Sequence, residues 1–218
     1  AATGNDSTPT VSGTAEANAL ISAVIAGATY ATTATGGTWS VDTGSATPAS
    51  GTLTINVNGN NSVSVTATDA VGNTSSAVTQ TLVIDTTAPT VVSFTTATAT
   101  GSYNADEAIV IIATTSEAIQ NGNTITVTLD TTDTVVLTAA SAGTTLVGTY
   151  TVGSGDTSTG LTVSSFTIGT VADTVGNAMT STTLPASSSI FGTKTIVIDT
   201  TAPSVAITSA ATGNDSTP

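Results

Sequence analysis

Residues 62–89 read SVSVTATDAVGNTSSAVTQTLVIDTTAP. In an extended segment Val63, Val65 and Ala67 fall on one face, and Ser62, Ser64, Thr66 and Thr68 on the other. That two-residue period marks a half-buried strand. Gly72-Asn73 signals a turn, and 77–84 returns as a second strand. Ala88-Pro89 then forces extended backbone that cannot continue a ladder. Strand, turn, strand, stop is the pattern against which the rest of the chain is read.

The same ending recurs. VIDTTAP stands at 83–89 and at 197–203, and the upstream loops DAVGN (69–73) and DTVGN (173–177) match. The loops are 104 residues apart and the endings 114, so the second unit carries about ten extra residues near 184–192. A longer repeat encloses both units. AATGNDSTP occupies 1–9 and again 210–218, an offset of 209. A nine-residue identity at that offset implies one period of a tandem array, and arrays are usually spacers, stalks or filament bodies. The expected division is a module at 1–87 lacking its first strand and a longer module at 88–202. Residues 203–218 then form the first strand and following loop of another copy. The linker falls at 85–89.

Strand signals in the first module lie at 10–15, 20–26, 28–33, 38–41, 51–57, 62–68 and 77–84. Those in the second lie at 91–96, 108–114, 124–129, 134–139, 145–152, 161–168 and 195–198. No helical period persists beyond a turn. About seven short strands per module predict an all-β chain of two tandem β-sandwiches. At 39% hydrophobic and 3% aromatic, the cores must be built from aliphatic side chains and Thr methyls. Charged residues are only 7%, and the alternating aliphatic runs exclude disorder.

Fourteen acids face a single base, Lys194, for a net charge of −13. Nucleic acid and anionic lipid are disfavoured partners, because both need Lys and Arg. With no Cys and no His, disulfides, zinc sites and Ser–His catalysis are excluded, and no enzyme is expected. No secretory leader is visible, nor any apolar run of about 18 residues that would span a membrane.

Two longer stretches carry a resemblance. TPTVSGTAEANA…GTWSV…VSVTATDAVGNTSSAVTQTLVIDTTAP resembles the bacterial immunoglobulin-like repeats of giant surface adhesins and biofilm-associated proteins. SYNADEAIVIIATTSEAI…YTVGSGDTSTGLTV…VADTVGNAMTSTTLP…TIVIDTTAP resembles a second, longer type from such proteins. It departs from that type at Ala105, where Gly is usual, and at Thr115, where Phe is usual. The resemblance implies immunoglobulin-like sandwiches, an extracellular place on the bacterial surface, and calcium between repeats.

In such a sandwich strand order fixes the end at which each loop lies. Asp6, Asp106 and Glu107 precede the second strand of their modules and belong at the trailing end. Glu16, Glu117, Asp69 and Asp173 belong at the leading end, and Asp85 and Asp199 close the last strands. The junction between modules should therefore gather Asp6, Asp85, Glu117 and Asp173. The following junction should gather Asp106, Glu107 and Asp199 with another copy's Glu16 and Asp69. Carboxylates ~5 Å apart repel by about 3 kcal/mol per pair at an effective dielectric near 20. Ca²⁺ with oxygen ligands would relieve that repulsion. For each Asp a plain turn role, satisfying backbone N–H groups, is the competing reading. Asp42, Asp130, Asp133 and Asp156 are expected to be solvated turn acids and Trp39 a core residue. Asn5, Asn73 and Asn177 cap turns or lend a carbonyl to a cation.

The leading expectation is a calcium-rigidified extender repeat of a bacterial adhesin or biofilm protein. The alternative is an adhesion module gripping a sugar or protein through loops such as 43–50 or 184–192. Partners would be adjacent repeats. SVAITSA (204–210) follows the second IDTTAP as the strand at 91–96 follows the first. It is expected to be a strand without a partner in its own module, matching an open edge on the first module and permitting head-to-tail strand exchange.

Overall fold

The computed structural model describes residues 2–208, and these are all-β and sandwich-like. The strands at 2–85 pair only with one another, as do those at 91–199.

The first half is organised by the hairpin of β3 (Leu20–Ile25) and β4 (Ala28–Thr33). Ile21, Ala23 and Ile25 point inward and are fully buried, while Leu20, Ser22 and Val24 face outward. The two-residue turn between them, Ala26-Gly27, has positive φ at both positions, the geometry that matches strand twist in a tight hairpin. β7 (Asn58–Thr68) and β8 (Val78–Asp85) extend this sheet on one side. β6 (Ser50–Gly51) closes the other side, and the three-residue β1 (Ala2–Gly4) adds parallel to β8. Facing it is a sheet of two strands, β2 (Thr10–Thr14) and β5 (Thr38–Asp42). The core between them contains Ile21, Tyr30, Trp39, Val41 and Val63.

The second half also has a six-stranded sheet and a smaller one, but divides its strands between them differently. Its large sheet runs in the order β16 (Val163–Thr170), β12 (Thr124–Leu129), β13 (Thr134–Thr138), β14 (Gly143–Thr151), β11 (Ala108–Ile119) and β9 (Val91–Thr96). The facing sheet is β10 (Gly101–Tyr103), β17 (Ile196–Asp199) and β15 (Thr157–Ser158). β10 lies parallel to β17 as β1 lies parallel to β8. Phe94 and Phe166 meet edge-on at 5.8 Å in a core filled mainly by Ile, Val and Leu.

Three expectations need correction. Residues 52–57 are not a strand. The Asn61 side chain accepts from the Asn56 N–H at 2.7 Å and donates to the Asn56 carbonyl at 2.9 Å, while Thr54 N–H donates to the Ala26 carbonyl at 2.9 Å. β11 does not end at 114 but continues to Ile119, with a bulge after Thr114. The insertion near 184–192 is not a free loop. Phe191 is buried in the core and its N–H donates to the Phe94 carbonyl at 2.7 Å. The loop at 43–50 is largely exposed, as expected, and is anchored at its start, where buried Thr43 donates to the Pro9 carbonyl at 2.9 Å. After Asp199 the described chain carries no strand, and Val205 and Ile207 are 93% and 89% exposed. Residues 209–218, which include the end of the expected strand at 204–210, lie outside the described residues. No helix of the described residues is long and apolar enough to cross a membrane.

Candidate metal centre

Three segments converge where the two halves meet. β8 ends at Asp85, and the segment beyond it is stitched to the β11 bulge. Ser116 N–H donates to the Thr90 carbonyl at 2.8 Å, and Thr90 N–H to Ser116 Oγ at 3.0 Å. The bulge itself is pinned by Thr115. Its buried hydroxyl donates to the Glu117 carbonyl at 2.7 Å and lies 3.2 Å from the Thr144 carbonyl. A Phe at this position could make neither bond. Within that pinned bulge stands Glu117.

The third segment is the DTVGN loop after β16. One oxygen of Asp173 accepts the N–H groups of Val175, Gly176 and Asn177 at 2.7–2.9 Å, and the other accepts from the Asn177 side chain at 2.7 Å. Gly176 has φ +101°, a conformation that glycine supplies without strain. The Asn177 amide also donates to the Asp85 carbonyl at 2.8 Å, so one side chain joins the loop to the preceding half. Gln120 fixes the loop from behind, donating to the Asp173 carbonyl at 2.8 Å.

The outcome is a trio. Carboxylate oxygens of Asp85, Glu117 and Asp173 lie within 4.8 Å of one another, and no other group of three acids this close occurs among the described residues. Asp173 is buried at 1% exposure, and Asp85 and Glu117 are half-buried. Oε1 of Glu117 is shielded from solvent and has no hydrogen-bond partner. Burial, then the charges of Asp85 and Asp173, raise the Glu117 pKa above its ordinary 4.5. Burial also pushes Asp173 upward, but its four hydrogen bonds outweigh this and hold it below 3.8. The only base, Lys194, is far along the fold and engaged elsewhere. Its ammonium donates to the carbonyls of Thr96 and Thr98 at 2.7 and 3.0 Å. A cavity of 420 Å³ lined by Asn58, Asp85, Thr87, Ser116 and Glu117 opens beside the trio.

Of the four acids expected here, Asp6 is not in the group. Its carboxylate folds back onto the N–H and hydroxyl of Thr8 at 2.8 and 3.1 Å. Asn5 takes the place beside the loop instead. Its amide nitrogen lies 3.5 Å from where a Cβ on Gly176 would stand. The second expected set is not gathered within the chain. Asp106, Glu107 and Asp199 are exposed, with Glu107 accepting from Asn104 N–H and Asp199 from Thr201 N–H. Glu16 and Asp69 line a separate groove in the first half.

Two acids read as solvated are not simply so. Asp156 accepts from the Tyr150 hydroxyl at 2.5 Å and from Gly153 N–H at 2.6 Å. Oδ2 of Asp133 is shielded and unpartnered. Thr115 and Gln120, which position the trio, escaped the sequence reading. The departure from Phe at 115 was the available signal. Comparison of the chain with family models, curated proteins and solved structures returned no match.

Proposed function

We propose that the chain is a spacer repeat built from two immunoglobulin-like sandwiches, whose relative orientation is locked by a divalent cation, Ca²⁺, held by Asp85, Glu117 and Asp173. The observation that carries the reading is the solvent-shielded, unpartnered Oε1 of Glu117 facing two further carboxylates with no basic residue beside them. A hard cation with oxygen ligands matches this donor set. It would remove repulsion on the order of 3 kcal/mol per pair at an effective dielectric near 20.

The ligands come from both halves. Asp85 ends the first, while Glu117 and Asp173 belong to the second, so a cation shared by them resists bending at the linker. Loss of Asp85 would leave each half folded and the joint free. The place of such a spacer is a bacterial surface adhesin or biofilm protein, in keeping with the sequence resemblance. The acidic surface and the repeated nonapeptide suit a solvated stalk of many copies.

Small-angle scattering of the chain in calcium and then in chelator tests this. The expected result is a longer, stiffer particle in calcium and a broader distribution of lengths in chelator. The titration midpoint should fall at roughly 10⁻⁴–10⁻³ M, as in other extracellular calcium modules. Superimposable profiles would refute the locking role.

A further inference from the structure

The first and last strands of the second half run in the same direction. In β9, Val91 stands opposite Thr115, beside Glu117, and Thr96 stands opposite Ile111. β9 therefore leads away from the junction. After a crossing at 97–100 the chain continues as β10 in the facing sheet. β17 is parallel to β10, with Gly101 opposite Ile196, Ser102 opposite Val197 and Tyr103 opposite Ile198. Just past its end the Thr200 hydroxyl donates to the Asp156 carbonyl at 2.9 Å. That is beyond the end of β14 where Thr151 pairs with Ala108, the end of β11 remote from Glu117. The chain enters this half at one end and leaves it at the other, on neighbouring segments.

The contact between those segments is longer than the three pairs of β10 and β17. Phe94 forms a parallel bridge with Ile190, and Phe191 N–H donates to the Phe94 carbonyl at 2.7 Å. Gly101 N–H donates to the Thr195 carbonyl at 3.1 Å. Between these points stands Lys194. Its ammonium donates to the carbonyls of Thr96 and Thr98 at 2.7 and 3.0 Å, one at the end of β9 and one in the crossing. The offset in sequence barely changes along this seam, 190 − 94 = 96 at its start and 196 − 101 = 95 at β10. A constant offset is the mark of two segments lying side by side and parallel. The extra residues near 184–192 supply the first part of the seam, and the only base of the chain supplies its middle.

Direction decides what such a seam can do. Tension along the chain pulls Thr90 back past the junction and Thr200 away from it. Parallel segments gripped at opposite ends must slide along each other, so all the bonds of the seam are strained together. Antiparallel neighbours pulled from a shared end open one pair at a time instead. Bonds that must fail together hold more force than bonds that fail in turn. Phe94, Phe191, Ile196 and Ile198 are buried under the seam, so sliding also drags close-packed side chains through the core.

We propose that the seam of 94–103 with 190–198 is a mechanical clamp that makes the second half a load-bearing unit, and that Lys194 is its central fastening. One charged donor bridges two backbone carbonyls on the opposite segment, and bonds from a charged donor are the stronger kind. Load passes from β9 and β10 directly into β17, and β12, β13, β14 and β16 carry none until the clamp fails. The load-bearing role rests on the spacer reading above, whereas the clamp itself needs no cation.

The test stretches the whole chain in optical tweezers, in chelator, by handles on its two ends. The second half is the longer, and its larger gain in length on unfolding, at roughly 3.3–3.6 Å per residue, identifies its event. In the parent that event should be one abrupt step. Lys194→Met, at an exposed position, keeps the aliphatic stem and removes the ammonium. It should raise the rupture rate at fixed force by roughly fivefold or more. Val127→Ala lies in the core on β12, outside the load path. It should lower the denaturant midpoint more than Lys194→Met does, yet leave the rupture rate within about twofold of the parent. Gradual yielding of the parent would overturn the clamp. A parent-like rate in Lys194→Met would overturn the role of the lysine. A rate raised as far in Val127→Ala as in Lys194→Met would mean that overall stability sets the response, and would overturn the load path. These rates are read without calcium and the scattering response reads the joint, so the two readings fail separately.

Discussion

The loops at Asp69 and Asp173 have the same fold and different fates. In each, the carboxylate gathers N–H groups of the following turn and the side-chain amide four residues on, and the intervening Gly sits at positive φ. Yet Asp173 is buried against Asp85 and Glu117, while Asp69 lies on the rim of an open groove. The local sequence writes the loop, and the neighbouring segment decides whether it becomes part of an acidic cluster. Asp173 has the preceding half's last strand beside it. No described segment performs that service for Asp69.

The largest effect should come from removing that carboxylate in both places. Asp173→Ala orphans several N–H donors in a buried setting and should cost about 3 kcal/mol. At roughly 2–4 °C per kcal/mol for a chain of this size, calorimetry would register a fall near 10 °C. Asp69→Ala should lower the first half's transition by clearly less. Equal losses would mean that turn closure alone gives these loops their value, and that burial at the junction adds nothing.

Next is the charge on Glu117. Its raised pKa means the folded state holds that proton more tightly than the unfolded chain. The associated stability is complete below 4.5 and is lost as pH rises through the raised value. Asp173 has the opposite sign. Its contribution is present above 3.8 and is lost as pH falls through its lowered value. In chelator, stability should therefore peak on the acid side of neutrality, between those two titrations. Glu117→Gln should erase the loss on the alkaline side of that peak and raise stability at pH 7. The same substitution should remove most of the gain that calcium gives the parent. Glu16→Gln, which removes one exposed charge elsewhere, should change neither limb. If it reproduces the Glu117 result, net charge governs the response and the trio does not.

The smallest contrast is between two buried tyrosines. The Tyr30 hydroxyl is buried without a partner, whereas that of Tyr150 donates to Asp156. Burial, and then that bond, push Tyr150 up to about 12. Its contribution is complete below 10 and lost as pH climbs through about 12. Tyr150→Phe should cost about 1 kcal/mol, while Tyr30→Phe should be neutral or slightly stabilising. Absorbance titration of the Tyr150→Phe variant should lose the latest-ionising tyrosine. A parent with no such late component would refute the bond.

Much of this fold was readable because alternation survives in the longer strands. β3, β4, β9 and β12 lie where their period-two pattern places them. The short strands β1 and β10 were not readable. ATG and GSY are too brief to carry a period, and they form only because a parallel partner lies beside them. At 52–56 the pattern misled, for there the Asn61 side chain takes both backbone groups of Asn56 and Thr54 N–H turns to the Ala26 carbonyl. Loop order brought Asp85, Glu117 and Asp173 to one junction but also drew in Asp6, because order fixes the end of a sandwich and not the direction of a side chain.

The sequence by itself determined that the chain is all-β, that its motifs recur, and that its carboxylates have almost no base to pair with. Each follows from period, repetition or count, and these need no third dimension. The tertiary structure decided which acids become neighbours and which tyrosine has a partner. Those depend on distances of a few ångströms between segments up to a hundred residues apart. There a three-residue pairing or one pinned bulge turns a side chain toward its neighbours or away from them.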